Sequence, residues 1–229
     1  MDGVSGVLYL LVFFAYAPAI GLLWYFYHKD RLEPEPKRYV AITFLYGAII
    51  SIGIAVFIEG LATMLIPRTF LTVSIMAALV EEPSKALAIR IPYEGRQMDG
   101  VMDGVVYGTA AGLGFAATEN LLYGFGFGLE VTLMRVLLTP IAHGTWTTIV
   151  GVGFGLKSEK KVESIIPFLI LAMLLHFLWD YLVFISESNY IYTVFVFLLL
   201  FLNVVLIRYF LNLGIREDIE KFGKFGKFG

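Results

Sequence analysis

The residues that could do chemistry are acids, imidazoles and one lysine set inside long apolar runs. Glu81, Glu82 and Lys85 form one group; Glu119 is followed by Asn120; His143 stands alone; His176 precedes Asp180 by four residues. Glu59 and Arg135 lie near the ends of apolar runs. On a helix Glu81 and Lys85 are i,i+4 neighbours, Glu82 and Lys85 are i,i+3 neighbours, and His176 and Asp180 share a face. A carboxylate behind an imidazole orients it as a metal ligand or general base. A desolvated carboxylate, alternatively, takes and returns a proton itself. Either arrangement hydrolyses an amide. Two imidazoles and one glutamate also satisfy a catalytic zinc, which uses three protein ligands and an open position. No HExxH helix motif is present, so the ligands must come from separate segments.

These groups must be positioned by helices in lipid. Hydrophobic residues make up 59% of the 229-residue chain and charged residues 16%, with mean hydropathy +0.80. Soluble domains have roughly 45–50% apolar and about 25% charged residues. About seven apolar runs are long enough to span, given ~20 residues per span: 4–27, 39–66, 70–91, 102–127, 131–156, 164–185 and 190–213. The expected fold is an all-α, polytopic transmembrane bundle. Residues 1–215 form one domain and 216–229 a cytoplasmic tail. The tail's Lys-Phe-Gly repeat (221–229) reads as a lipid-touching segment, a flexible end or an engineered remnant. The first run lacks a basic leader and a clear cleavage site, and reads as a retained span. Lys29, Arg31, Lys37 and Arg38, then Arg90 and Arg96, then Lys157, Lys160 and Lys161, and finally the C-terminal cations alternate with loops holding only Arg68 and Arg135. The positive-inside rule then places the N-terminus outside and the C-terminus in the cytoplasm. At ~1.5 Å per residue, Glu81 lies roughly 16 Å, and His143 and His176 roughly 18 Å, inside their spans. Glu119 lies nearer the outer face, so the four suit one cavity open to the extracytoplasmic side. Gly104, Gly108 and Gly112 recur every four residues, a stripe that lets helices approach closely. Net charge is −2 and cysteine is absent. The former gives no sign of a nucleic-acid partner, and the latter excludes disulfides and thiolate metal sites.

Ionisable residues within spans cost about 2.5–3.5 kcal/mol each on insertion scales and need a reason. Hydrolysis is one. An ion or proton path through a transporter is another, and a scaffold with buried ion pairs a third. Lys85 with the glutamates, and His176 with Asp180, also suit polar clamps between helices. Glu59 and Arg135 suit snorkelling or pairing at span ends, and His28 a solvated loop.

Four motifs taken in order, Glu-Glu-Pro-Ser-Lys (81–85), Phe-Ala-Ala-Thr-Glu-Asn (115–120), His143 and His-Phe-Leu-Trp-Asp (176–180), resemble the PrsW family of prokaryotic membrane proteases. That family is grouped with the CAAX prenyl proteases and bacteriocin-processing relatives. The resemblance runs from about the first span through the sixth. It implies an intramembrane endopeptidase in the plasma membrane, cleaving membrane-anchored proteins, for example an anti-sigma factor at its first site. It implies catalytic roles for Glu81, Glu82, Glu119, His143 and His176, supported by Lys85, Asn120 and Asp180. A zinc ion on Glu119, His143 and His176 is the expected cofactor, with metal-free glutamate chemistry as the alternative. Glu119 stands where the prenyl-protease branch usually has histidine, which favours the PrsW branch.

Overall fold

A computed structural model describes residues 3–223. Among them the chain forms seven long helices: α1 (Gly3–Tyr27), α2 (Lys37–Ala62), α3 (Phe70–Glu94), α4 (Val101–Phe127), α5 (Leu129–Ser158), α6 (Ile166–Ser186) and α7 (Ile191–Phe222). Each corresponds to one expected span. Two boundaries differ by more than three residues. α2 stops at Ala62 because the chain turns ahead of Pro67, which is disfavoured inside a helix. α7 runs nine residues past Leu213, because its polar last turns have partners. Glu217 accepts from the Val101 backbone N–H at 2.6 Å, and Lys221 donates to the Asp99 carbonyl at 2.8 Å. Most of the Lys-Phe-Gly repeat lies outside the described residues.

α1, α2, α6 and α7 are long and apolar enough to cross a membrane by length and composition. They present a coat of exposed leucine, isoleucine, valine and phenylalanine. α3, α4 and α5 carry the buried ionisable groups and are more enclosed. α4 is the central post, packed against α1, α2, α5 and α7. Its small-residue stripe explains why. A Cβ on Gly108 would come 2.6 Å from Thr148 Cα, and one on Gly104 would enter the Gly151 carbonyl. Side chains there would force the two backbones apart. The α4–α5 turn is a single residue, Gly128, at φ +91°, a left-handed conformation that favours glycine.

Two local features aim α2 and α3 at the interior. Thr69 caps α3 reciprocally with Thr72: the Thr72 N–H donates to Thr69 Oγ1 (3.2 Å) and the Thr69 N–H to Thr72 Oγ1 (2.9 Å). α2 widens into a π turn over Tyr46–Ser51, a form often found at functional sites. Thr118 Oγ1 donates to the Ala48 carbonyl in this turn (2.7 Å), and Ser51 Oγ donates to the Ser84 carbonyl of α3 (2.7 Å). The widened turn thus ties α2 both to the central post and to the glutamate-bearing stretch of α3.

The loop between α1 and α2 buries two acids outside the spans. Burial pushes the Asp30 carboxyl up to about 7, against a lowering hydrogen bond from the Glu35 N–H and with help from the nearby Asp103 charge. Burial and Asp103 push Glu35 up to about 10, and Tyr107 donates its hydroxyl hydrogen to it. A raised carboxyl binds more protons folded than unfolded between its ordinary value and its folded value. Its contribution is therefore fully present in acid and declines as pH rises through that window. We expect the thermal midpoint in detergent to be higher at pH 5 than at pH 8, and Asp30→Asn to shrink that difference. An unaltered difference in the variant would show that Asp30 titrates normally.

Candidate active site

Acids, imidazoles and lysine from four helices meet in one buried cluster. α3 contributes Glu81, Glu82 and Lys85, which lie on one face through their helical spacing. Lys85 Nζ stands 2.6 Å from Glu82 Oε1 and 3.4 Å from Glu81 Oε2. It also lies 3.0 Å from His143 Nδ1 on α5 and 4.4 Å above the centre of the Phe115 ring on α4. Lys85 and Glu82 are fully enclosed, so each charge depends on the other.

Each imidazole is held by a carboxylate on another helix. His176 Nδ1 lies 2.8 Å from Glu82 Oε1. With the proton on Nδ1, that contact leaves the Nε2 lone pair between Asp180 Oδ2 at 3.4 Å and Glu81 Oε2 at 3.7 Å. His143 Nε2 lies 3.0 Å from Glu119 Oε2, which turns its Nδ1 toward Lys85 and toward Glu81 Oε2 at 4.0 Å. The rings meet edge to face, with centroids 5.2 Å apart. Trp146, one turn beyond His143, stacks on His176 at 4.4 Å and donates its indole N–H to Asn203 Oδ1 at 3.0 Å. The indole is thereby pinned to α7 and forms a rigid wall for both imidazoles.

The expected residues thus converge, with roles that spacing alone does not give. Glu119 sits beside His143 and also meets Arg135 at 2.7 Å. Asn120 accepts from Arg135 Nε (3.0 Å) and Thr139 Oγ1 (2.9 Å), so it positions the arginine. Arg135, which sequence alone assigns to pairing or snorkelling, is paired and inside the cluster. Asp180 Oδ2 lies 3.4 Å from His176 Nε2, farther than Glu82 is from Nδ1. His28 is exposed and apart from the cluster. Trp146 and Asn203 escape sequence reasoning, although the spacing of Trp146 from His143 signals a shared helix face.

Glu81, His143 and His176 each offer one ligand atom, all within 4.8 Å of one another. Two of the separations, 3.7 and 4.0 Å, are slightly wider than the ~3.4 Å edge of a tetrahedron with ~2.1 Å arms. The donor set is one carboxylate and two imidazoles whose remaining nitrogens already face carboxylates, as bound imidazoles require. These residues could hold a divalent metal once Lys85, 3.0 Å from His143 Nδ1, releases that nitrogen's lone pair. The carboxylate standing with both imidazoles is Glu81; Glu119 serves His143 from behind. Exposure grades outward, with side chains 0% exposed at Glu82, 8% at Glu81, 15% at Glu119 and 25% at Asp180. The cluster therefore opens toward the C-terminal ends of α4 and α6.

The family model described as "PrsW family intramembrane metalloprotease" matches residues 35–207, which include every member of the cluster. The chain belongs to the PrsW family. Among its relatives, Protease PrsW of Geobacillus kaustophilus is 34% identical over 182 residues, covering 75% of this chain and 78% of that protein. Protease PrsW of Bacillus subtilis is 32% identical, covering 77% and 83%. The protein of the same name from Clostridioides difficile is 29% identical, covering 73% and 76%. No solved structure matches the chain. PrsW membership makes the chain a membrane-embedded peptidase of the metalloprotease type, and the transporter and scaffold readings give way to it.

Proposed function

We propose that this PrsW-family peptidase uses one zinc ion, held by Glu81, His143 and His176, to cleave a membrane-anchored protein near the extracytoplasmic face of a prokaryotic plasma membrane. The observation that carries the reading is the convergence of Glu81 Oε2, His143 Nδ1 and His176 Nε2 within 4.8 Å, all three residues buried in the protein. When bound, zinc supplies a Lewis acid that polarises the scissile carbonyl and brings a water's pKa toward neutrality. Everything else falls to the chain. Glu82 fixes the His176 tautomer, and Glu119 does the same for His143, so that both rings turn the correct nitrogen inward. Lys85 keeps Glu82 ionised and fills the floor of the site. Asp180 is partly exposed and 3.4 Å from His176 Nε2. It takes the proton released as water attacks the peptide carbon and gives it to the departing amine. Trp146 and Phe115 exclude lipid and bulk water from the reacting atoms.

The orientation follows from charge. The α1–α2 loop, the α3–α4 loop, the α5–α6 loop and the end of α7 carry most of the lysines and arginines. Under the positive-inside rule these face the cytoplasm and the open end of the cluster faces outward. A single-span protein such as an anti-sigma factor presents its extended outer segment there.

The test is a purified single-span reporter reconstituted with the protein in liposomes. Cleavage should occur in the outer third of the reporter's span or just beyond it, stop on chelation and return on adding zinc. Cleavage at the cytoplasmic end, or full activity in the presence of chelator, would refute this reading.

A further inference from the structure

We propose that a cavity between the outer halves of α2 and α3 is the subsite for a lysine or arginine side chain of the substrate, with Glu59 as its acidic floor. The inference rests on the peptidase reading above and specifies what that site prefers. The cavity has a volume of about 330 Å³ and is lined by Val56, Glu59, Ile66, Arg68, Thr72 and Met76, among others. That is near the small end of ligand pockets, roughly 300–1,000 Å³, and suits one long side chain with its backbone atoms.

Glu59 is the odd group in this region. Its Oε1 is buried and has no hydrogen-bond partner. The neighbouring cations are already engaged, Lys85 by Glu82 and Glu81, and Arg135 by Glu119. Arg68 lines the same cavity from an exposed loop position and makes no ion pair with Glu59 among the described residues. Met76, which lines the cavity, stands five residues before Glu81 on α3, which puts the cavity outward of the catalytic cluster along the same helix. An acid with a buried oxygen that lacks a partner calls for a cation. The apolar walls of Val56, Ile66 and Met76 match the aliphatic stem of lysine or arginine, leaving the charged head to reach Glu59. Because substrate enters from lipid, this cation stands in the outer juxtamembrane segment, close in sequence to the cleaved bond.

The experiment uses the full-length protein in liposomes and single-span reporters carrying lysine, glutamine or glutamate at successive outer juxtamembrane positions. At one position the wild type should favour lysine over glutamate by about tenfold or more in kcat/KM, mostly through KM. Glu59→Gln should bring that ratio toward one, and Glu59→Lys should invert it. Should Glu59→Lys fail to fold, the Glu59→Gln ratio decides alone. A wild-type ratio that Glu59→Gln leaves unchanged at every position would overturn the inference while the peptidase reading stands. A wild type that cleaves no reporter would overturn both.

Discussion

Glu81→Gln is expected to lower reporter cleavage by more than the roughly 10–100-fold that follows loss of a group merely supporting a metal ligand, while the protein still folds. Glu81 is the carboxylate that faces both imidazoles, with Oε2 3.7 Å from His176 Nε2 and 4.0 Å from His143 Nδ1. Glutamine keeps the shape and the hydrogen-bonding capacity toward Lys85 but loses the negative charge that a metal needs. Lys85 retains its closer partner, Glu82, at 2.6 Å. The thermal midpoint in detergent should therefore change little as activity falls. Activity near wild type would remove Glu81 from the reacting centre. A collapse of the midpoint to match the lost activity would make Glu81 a structural acid.

The opposite split is expected at Glu82. Its Oε1 receives both Lys85 Nζ and His176 Nδ1 in a fully enclosed setting. Glu82→Ala strands a buried ammonium and an imidazole N–H, and breaking such a pair destabilises by about 3–5 kcal/mol. We expect a large fall in the thermal midpoint together with loss of cleavage. The double variant Glu82→Met with Lys85→Met removes the stranded charge and should recover much of the stability without recovering activity. If Glu82→Ala melts like wild type, the Glu82–Lys85 pair does not hold the cluster together.

The two adjacent glutamates have different surroundings, Glu82 enclosed against Lys85 and His176 and Glu81 facing both imidazoles, which helical spacing alone does not distinguish. Helical spacing fixes partners on one helix, so the Glu82–Lys85 pair and the His176–Asp180 neighbourhood were legible from i,i+3 and i,i+4 separations. Partners on different helices depend on how each helix is rotated, which spacing does not encode. Spacing therefore does not tell which glutamate meets which imidazole: Glu119 Oε2 lies 3.0 Å from His143 Nε2, and Glu81 Oε2 lies 3.7 Å from His176 Nε2 and 4.0 Å from His143 Nδ1. Glu59 and Arg135 read as span-end residues by position alone. Arg135 instead meets Glu119 at 2.7 Å, and Glu59 buries its Oε1.

The fold was more legible. Runs of apolar residues and their charged breaks marked all seven helices, and the Gly104, Gly108 and Gly112 stripe marked the closest crossing, between α4 and α5. What escaped is local and cooperative. The π turn at Tyr46–Ser51 has no proline to announce it, and its carbonyl at Ala48 is satisfied by Thr118, seventy residues away. The extension of α7 to Phe222 depends on Glu217 and Lys221 finding backbone partners beside the start of α4. Neither contact is written in the local sequence pattern.

The most direct check on the proposed metal centre is the content of bound metal in the purified protein, measured by elemental mass spectrometry in wild type and in His176→Ala. The account predicts close to one zinc per chain in the wild type and nearly none in the variant. An actively cleaving wild-type preparation free of divalent metal, or a His176→Ala variant that keeps its full complement, would contradict it.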